Sequence, residues 1–159
     1  MDWISRRYFF LSLLAMSMGA EAKLVANAAE VIGVVDGDSI TVKIDQTDYR
    51  IRLAEIDAPE IAQLWGKESK LALKEKLENK EVVIEVIDVD RYSRLVARIF
   101  LDGRQINREM LEEGHAWVYL EYLRDESLLT SEASARRKKL GLWRSAEVIP
   151  PWQWRKNMR

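Results

Sequence analysis

The chain contains the segment Ile51-Arg52-Leu53-Ala54-Glu55-Ile56-Asp57-Ala58-Pro59-Glu60, which combines a strand pattern with chemically active side chains. Ile51 and Leu53 alternate with Arg52, so the segment begins as a β-strand with one apolar face. Pro59 fixes its own φ and disfavours helical geometry before it, so the strand exits into a turn. A guanidinium, two carboxylates and a carbonyl within one strand and its exit loop suit a hard cation beside a phosphate. A solvated arginine and an ordinary proline turn explain this segment alone equally well.

Composition excludes several kinds of site. With 159 residues, 48% of them hydrophobic and 32% charged, the chain has the size and composition of one globular domain. It contains no cysteine, which excludes disulfides and thiolate metal sites, and its single histidine, His115, excludes a multi-histidine zinc site. Residues 136–159 carry eight Lys or Arg side chains against Glu147 alone, so only this part has the charge of a nucleic-acid-binding surface.

Residues 1–28 have the pattern of a secretory signal peptide. Arg6-Arg7 precedes an apolar run over residues 8–18, and small residues follow at Ala20-Glu21-Ala22 and Ala26-Asn27-Ala28. We predict export to the periplasm or the medium, with cleavage after the second of these motifs and no stable membrane association afterwards. Both the general secretory route and the twin-arginine route stay open. An uncleaved anchor is the alternative, although the run is short for a bilayer.

Hydrophobic periodicity along the rest of the chain predicts a mainly β fold of the α+β class. The expected strands cover residues 31–35, 39–44, the segment around Arg52, 82–89 and 94–101, and the expected helices cover 63–79, 107–114 and 126–140. Asn107 is expected to cap the second helix, and residues 150–154 are expected to be irregular. Five short strands favour a closed or nearly closed barrel of the OB type, because closure removes exposed sheet edges.

Three turns between the expected strands carry charged side chains. Asp36-Gly37-Asp38 gives two carboxylates, residues 57–60 give two more with a carbonyl, and Asp90-Arg91-Tyr92-Ser93-Arg94 gives two arginines and a tyrosine. The first two turns lie at strand ends that converge if the strands form a meander. Each turn alone is weak evidence, since charged hairpin tips are usually just solvated.

Taken in this order and at this spacing, the motifs resemble those of the staphylococcal nuclease (thermonuclease) family. The resemblance covers residues 31–143 and includes Glu113-Gly114-His115-Ala116 and Gly141-Leu142-Trp143. It implies a domain at residues 29–143, a five-stranded OB-fold barrel with three helices, followed by a basic, tryptophan-containing tail at 144–159. It also implies Ca²⁺ as the cofactor and DNA and RNA as partners, and we expect a monomer.

The resemblance further assigns roles to single residues. By resemblance, the catalytic residues are Arg52, Glu60 and Arg94; the metal ligands are Asp38, Asp57 and the carbonyl of Ala58, with Asp36 nearby; and the nucleotide-binding residues are Arg91, Tyr92 and Tyr122, with Tyr119 equally plausible. Glu60 matches the proposed general base, and the two arginines match the phosphate-binding pair. Hydrolysis of a phosphodiester needs a water nucleophile and compensation of phosphate charge, which a cation and two guanidiniums supply. Ser93 stands where the family often has glycine, so we expect a stiffer hairpin there.

The histidine and the tryptophans have structural explanations. His115 is expected to pack or to lie on the surface, and Trp117 and Trp143 are expected in the core. Trp152 and Trp154, set among basic residues, either form a stacking platform for nucleic acid or fold back over the barrel.

The resulting expectation is an exported, calcium-dependent nuclease that cleaves DNA and RNA with little sequence preference and leaves 3′-phosphates. A non-catalytic OB-type module that binds nucleic acid is the alternative. Such barrels typically lack one of the two arginines, the base or the metal carboxylates, and here none is missing. An oligosaccharide-binding barrel is a third interpretation, but it has no use for Arg52 together with Arg94.

Overall fold

The computed structural model describes residues 24–158, which form a barrel with helices packed around it. The strands are β1 (Leu24–Val34), β2 (Ser39–Ile44), β3 (Thr47–Leu53), β4 (Ile56–Asp57), β5 (Glu81–Val89), β6 (Leu95–Leu101), β7 (Arg104–Gln105) and β8 (Trp117–Val118). The α-helices are α1 (Gly66–Leu77), α2 (Ile106–Glu112), α3 (Ser127–Arg137) and α4 (Pro151–Asn157), with 3₁₀ turns at Leu120–Tyr122 and Gly141–Arg144. The α+β fold with a five-stranded OB-type barrel, predicted from the sequence, is confirmed.

Closure of the barrel brings distant turns together. The five long strands are ordered β3-β2-β1-β5-β6 with antiparallel neighbours, and a parallel pairing of β3 with β6 closes the ring. In that pairing Ile51 lies opposite Leu95 and Arg52 lies opposite Val96. The beginning of β6, just after Arg94, therefore lies beside the part of β3 that carries Arg52.

Alternating apolar side chains fill the barrel interior. Ile51, Leu53, Ile84 and Ile99 are each at most 1% exposed, and burial of such a side chain stabilises the fold by about 1.5–3 kcal/mol. The alternation expected for β3 is confirmed, because Arg52 between two buried residues stays partly exposed. The strand thus holds its apolar face in the core and its guanidinium at the surface of the barrel.

The three predicted helices are present and slightly shorter than expected, but Asn107 does not cap α2. It lies inside the helix and is fully buried. Its Oδ1 accepts a hydrogen bond from the Ile99 N–H (2.9 Å), and its Nδ2 donates to the carbonyls of Ala54 (2.9 Å) and Ala97 (3.2 Å). The capping prediction is wrong because the amide forms hydrogen bonds with buried main-chain groups. Leaving such groups without a partner costs more free energy than leaving the helix end uncapped. Asn107 thereby links the segment before Asp57 to β6 through hydrogen bonds.

The prediction that residues 150–154 are irregular is wrong, because they contribute to α4, which adds a fourth α-helix to the three expected within residues 29–143. Pro151 lies in its first turn, where a missing N–H leaves no hydrogen bond unmade. Gln63 Nε2 donates to the carbonyl of Ile149 (3.0 Å), and the Trp152 ring stacks on that of Tyr119 with 5.7 Å between centroids. The helix therefore packs on the domain and forms part of it.

The predicted signal peptide lies largely outside the described residues, which begin at Leu24. Its expected cleavage point after Ala28 falls within β1, whose residues Leu24, Val25 and Ala26 pair with β5. The small-residue motif at 20–22 lies before this strand. Between residues 24 and 158, none of the helices combines the length and the apolar character that crossing a membrane requires.

Candidate active site

A cleft of about 1150 Å³ lies at the barrel surface where β2 begins, β3 leads into β4, and the β5–β6 hairpin turns. All ten site residues expected from the sequence line it: Asp36, Asp38, Arg52, Asp57, Ala58, Glu60, Arg91, Tyr92, Arg94 and Tyr122. The structure thus brings together the three charged turns, while the roles of these residues stay predictions. His115 does not line the cleft, and its Nδ1 accepts a hydrogen bond from Trp65 Nε1 (3.0 Å), as a packing residue would.

Two buried carboxylates, Asp38 and Asp57, are bridged by the guanidinium of Arg52. Its Nη1 lies 3.2 Å from Asp38 Oδ2, and its Nη2 lies 3.0 Å from Asp57 Oδ1. The Ala58 N–H donates to Asp38 Oδ2 (2.6 Å), and the Asp38 N–H donates to Asp36 Oδ1 (3.0 Å). The first two charged turns are therefore joined directly, which places the three expected metal ligands side by side.

The turn that carries Asp38 depends on the small size of Gly37. A Cβ at this position would lie 2.0 Å from the Oγ of Ser69 in α1 and 2.7 Å from the Cβ of Ala58. Any larger residue would push the turn away from the helix and from Ala58. Gly37 therefore allows the close approach that brings Asp38 to the second turn.

Burial dominates the electrostatics of both carboxylates. It raises the pKa of Asp38 to about 7, with the charge of Arg52 opposing the shift and the charges of Asp36 and Asp57 adding to it. Burial also raises the pKa of Asp57, against the hydrogen bond from Arg155 and the charge of Arg52. The surrounding cations do not fully compensate the two negative charges. A divalent cation between them would stabilise the charged forms.

The donors at this site suit a hard metal ion. Carboxylate and carbonyl oxygens are ligands for calcium or magnesium, whereas soft metals prefer nitrogen or sulfur. In the part of the chain that the structure describes, no group of three or more His, Cys, Asp or Glu side chains is arranged to hold a metal. Asp38, Asp57 and Ala58 therefore fit an open site that water and phosphate oxygens would complete, and not a closed cage of protein ligands.

Arg94 is held on the β5–β6 hairpin by Asp90. Its Nε lies 2.7 Å from Asp90 Oδ2, and Asp90 Oδ1 accepts the N–H groups of Tyr92 (2.9 Å) and Arg94 (3.0 Å). The guanidiniums of Arg91 and Arg94 lie 4.9 and 5.7 Å from the centroid of the exposed Tyr92 ring. Ser93 has a φ of +60°, a left-handed conformation that favours glycine. The hairpin therefore presents an arginine and an aromatic ring to the cleft as one unit.

Glu60 faces the cleft from the turn after Pro59. Its N–H donates to Gln63 Oε1 (2.8 Å), which fixes the backbone of the turn. Its carboxylate Oε1 accepts a hydrogen bond from Arg155 Nη1 (2.9 Å). The same guanidinium binds Asp57, with Nη2 at 2.9 Å from Oδ2 and Nη1 at 3.2 Å from Oδ1.

Arg155 is the site residue that sequence reasoning missed. It comes from α4, whose first turn lies in the segment 150–154 that is expected from the sequence to be irregular. The pair Pro150-Pro151 before an uninterrupted run of helix-compatible residues is a signal for a helix start that could have indicated α4. No local signal indicated that the helix docks against a turn about a hundred residues earlier, because that contact is purely tertiary.

Aromatic side chains form another wall of the cleft. Tyr119 contacts Tyr122 edge-to-face at 4.8 Å and stacks on Trp152 at an interplanar angle of 4°. Trp117 and Trp143 are buried and pack edge-to-face at 4.9 Å, so their predicted place in the core is confirmed. Trp152 packs against that core cluster and also lines the cleft, which combines the two alternatives considered for it.

Comparison with known proteins agrees with this geometry. The family model described as staphylococcal nuclease homologue matches residues 50–145. A protein of Escherichia coli O157:H7 named "Uncharacterized endonuclease" is 40% identical over 126 residues, covering 79% of this chain and 82% of that protein. The "Micrococcal nuclease" of Shigella flexneri is 36% identical over 138 residues, covering 80% of this chain and 79% of that protein.

A third relative matches almost the whole chain. An "Uncharacterized endonuclease" of Haemophilus influenzae is 34% identical over 155 residues, covering 96% of this chain and 87% of its own length. The family model spans β3 to the second 3₁₀ turn, and so includes the expected metal ligand Asp57, the expected base Glu60 and both expected catalytic arginines. Together with the five-stranded barrel and the converging turns, these matches identify the family. The chain belongs to the staphylococcal nuclease homologue family.

Proposed function

We propose that the chain is an exported, calcium-dependent nuclease that hydrolyses phosphodiester bonds of DNA and RNA with little sequence preference and leaves 3′-phosphates. The observation that supports it most is the meeting of Asp38, Asp57, Arg52 and Glu60 in a cleft that Arg94 also lines. The names of the relatives from Escherichia coli and Shigella point to the same class of reaction. Both nucleic acids are included because the proposed contacts are to phosphates and base rings, which DNA and RNA share.

The proposed chemistry divides among the side chains of the cleft. A calcium ion held by Asp38, Asp57 and the carbonyl of Ala58 would compensate charge on the scissile phosphate. Glu60 accepts the proton of the attacking water, for which a general base must lie within hydrogen-bond reach, directly or through one further water. Its position on a turn stiffened by Pro59 supports that role, because a base that is held in place loses little entropy on reaction.

Arg52 and Arg94 bind the phosphate oxygens. Without substrate, Arg52 contacts Asp38 and Asp57, and Arg94 contacts Asp90. These contacts hold both guanidiniums at the cleft before a phosphate arrives, so less side-chain entropy is lost on binding. Donors aimed at developing charge each lower the barrier by about 3 kcal/mol in comparable sites.

The exposed aromatic rings bind the nucleotides. Tyr92 and Tyr122 are 58% and 56% exposed, so both rings are accessible to a base. Stacking of this kind is tolerant of sequence, because every base has a π face. Arg91, beside Tyr92, adds positive charge to the same surface. This supports a nuclease with little preference among bases.

Cleavage assays with purified protein test the proposal. Plasmid DNA and a long RNA should both be cut with calcium, remain intact with EDTA, and remain intact with excess magnesium in a calcium-selective chelator. Asp57→Asn serves as the matched inactive variant. Analysis of the ends of the cleavage products should find 3′-phosphates. Full activity with magnesium alone would refute calcium dependence. Retention of nucleic acid without cleavage would instead support the non-catalytic binding module.

Export and a monomeric state complete the proposal. Export is supported by the pattern of residues 1–28. N-terminal sequencing of secreted material should find a chain that begins after Ala28, and recovery of intact Met1 would contradict export. Cleavage after Ala22 would leave all of β1 in the mature protein.

A further inference from the structure

Among the cationic side chains that the structure describes, Arg155 makes the most contacts with the carboxylates of the cleft. Both of its Nη atoms bind Asp57, at 3.2 and 2.9 Å, and Nη1 also binds Glu60 at 2.9 Å. The guanidinium therefore bridges the proposed metal ligand and the proposed general base. Neither the family motifs nor the sequence pattern assigns a role to this residue.

The bridge matters more to Glu60 than to Asp57. Asp57 is almost completely buried and also binds Arg52, so its carboxylate has a second partner. The Glu60 side chain is 41% exposed. Between residues 24 and 158, its carboxylate has no other ion pair or side-chain hydrogen bond. Without Arg155, the Glu60 side chain would be free to rotate into solvent.

We propose that Arg155 is a positioning residue that holds the Glu60 carboxylate at a fixed place relative to Asp57. The inference rests on the proposed function, because it assumes that Glu60 is the base. A planar guanidinium suits this task, since its fork of donors fixes two carboxylates in one plane, whereas an ammonium acts as a single point charge. Misplacement of a catalytic group by about 1 Å can lower turnover by about a hundredfold.

The helix that carries Arg155 is anchored independently of this side chain. Trp152 stacks on Tyr119, Pro151 is buried, and Gln63 binds the carbonyl of Ile149. Replacement of Arg155 should therefore leave α4 docked. This separates a positioning role from a merely structural one, because the fold and the aromatic wall survive the substitution.

A rival interpretation makes Arg155 an internal competitor of the metal ion. Its two Nη atoms contact both oxygens of Asp57, and a calcium ion needs at least one of them. Under that interpretation, removal of Arg155 tightens calcium binding and changes nothing once calcium is saturating. Under the positioning role, turnover falls even at saturating calcium.

The test compares Arg155→Ala, Arg155→Lys and the control Gln153→Ala, which alters an exposed side chain of the same helix outside the cleft. Calorimetric titration with calcium alone defines saturation for each variant, and far-UV circular dichroism checks the fold. At saturating calcium and DNA, we expect kcat to fall about 10- to 100-fold for Arg155→Ala, with KM changed less than about threefold. Arg155→Lys should be intermediate and Gln153→Ala unchanged.

A double-substitution cycle with Glu60→Gln identifies the residue through which Arg155 acts. In the Glu60→Gln background, Arg155→Ala should change the residual kcat by less than about twofold, because the base it positions is already absent. A full additional loss in that background would overturn the proposal. The proposal would also be overturned if Arg155→Ala alone left kcat unchanged or raised activity only at low calcium. The same holds if weaker calcium binding explained its whole loss of activity. An active wild type with an unaffected Arg155→Ala refutes this inference alone, whereas an inactive wild type refutes the proposed function with it.

Discussion

Glu55 and Asp57 lie two residues apart in one segment, and both carboxylates are almost completely inaccessible to solvent. Glu55 accepts hydrogen bonds from Arg98 Nε (2.7 Å) and from the N–H groups of Arg124 (2.8 Å) and Asp125 (2.7 Å). Burial alone would raise the pKa of Glu55, but these hydrogen bonds lower it below its ordinary value. For Asp57 burial prevails, and its pKa is raised.

The difference lies in the kind of donor that each carboxylate has. Two of the donors to Glu55 are main-chain N–H groups, which cannot leave without unfolding the segment around Asp125. Among the described residues, the donors to Asp57 are the guanidinium groups of Arg52 and Arg155, and that of Arg52 can turn to a phosphate. A carboxylate held by the backbone serves stability, and one held by side chains can exchange one of its donors for a ligand. Two neighbouring carboxylates thus have separate tasks.

The largest expected effect concerns Arg94, which lies on the same hairpin as Arg98. Arg94→Ala should lower kcat about a hundredfold to a thousandfold, because it removes a donor to the charge that develops on the phosphate. The free energy of unfolding of this variant should differ from that of the wild type by less than about 0.5 kcal/mol, since the one ion pair of Arg94 among the described residues is with Asp90 at the hairpin turn. Steady-state kinetics and urea unfolding measure the two quantities. Near-normal kcat would remove this hairpin from the site.

Arg91→Ala is the control for Arg94. Arg91 contacts the Tyr92 ring and lines the cleft without an ion pair to a carboxylate of the centre among the described residues. Its removal should raise KM and leave kcat within about threefold. A loss of kcat as large as that of Arg94→Ala would show that the two arginines act on the same step.

The second prediction concerns Glu55, whose replacement should lower stability and leave turnover unchanged. Glu55→Gln should lower the free energy of unfolding by about 3 kcal/mol, because it removes the charge that compensates the largely buried Arg98. The folded fraction should keep its turnover, since Glu55 has no proposed role in the reaction. Urea unfolding measures the loss, with Glu81→Gln as an exposed carboxylate control expected within about 0.5 kcal/mol. Equal stability of the two variants would contradict a structural role for Glu55.

The third prediction concerns Asp38, whose replacement should raise the free energy of unfolding of the metal-free protein by a smaller amount. Calcium at a hundred times its dissociation constant should stabilise the wild type by about 2.7 kcal/mol. Asp38→Asn should lose that gain, yet the metal-free variant should be more stable than the metal-free wild type by about 1 kcal/mol. The buried negative charge beside Asp36 and Asp57 is removed, while the amide oxygen can still accept the Ala58 N–H. Urea unfolding with calcium and with EDTA measures both differences, and lower stability in EDTA would assign Asp38 a structural role.

The barrel and most of the cleft follow from local sequence signals. The alternation of Ile51 and Leu53 around Arg52, the turn at Pro59 and the turn at Gly37 each act within a few residues. Local rules therefore predict the strand and the two turns, and the resemblance to the family indicates that the turns lie close together. Asn107 was misread because the same residue type caps helices and satisfies buried carbonyls, and only the tertiary structure decides between these uses.

Arg155 could not be predicted for a different reason. Its contacts with Asp57 and Glu60 depend on the docking of a seven-residue helix, and no repeat, spacing or charge pattern encodes that docking. Glu55 illustrates the same limit, because its partners Arg98 and Asp125 lie 43 and 70 residues away in the sequence. Sequence signals located the residues that are expected to bind substrate and that line the cleft, but not the distant side chains that contact them.

The bridge from Arg155 to Asp57 joins residues 98 positions apart, which has a consequence for the order of folding. The strands of the barrel are complete before α4 in the sequence, whereas a helix of seven residues is unstable until it docks. Contacts of long sequence separation form late, since closing a long loop is entropically costly before the contact forms. Secondary structure should therefore return during refolding before catalytic competence does. In the native protein, undocking of α4 should require less free energy than unfolding of the barrel.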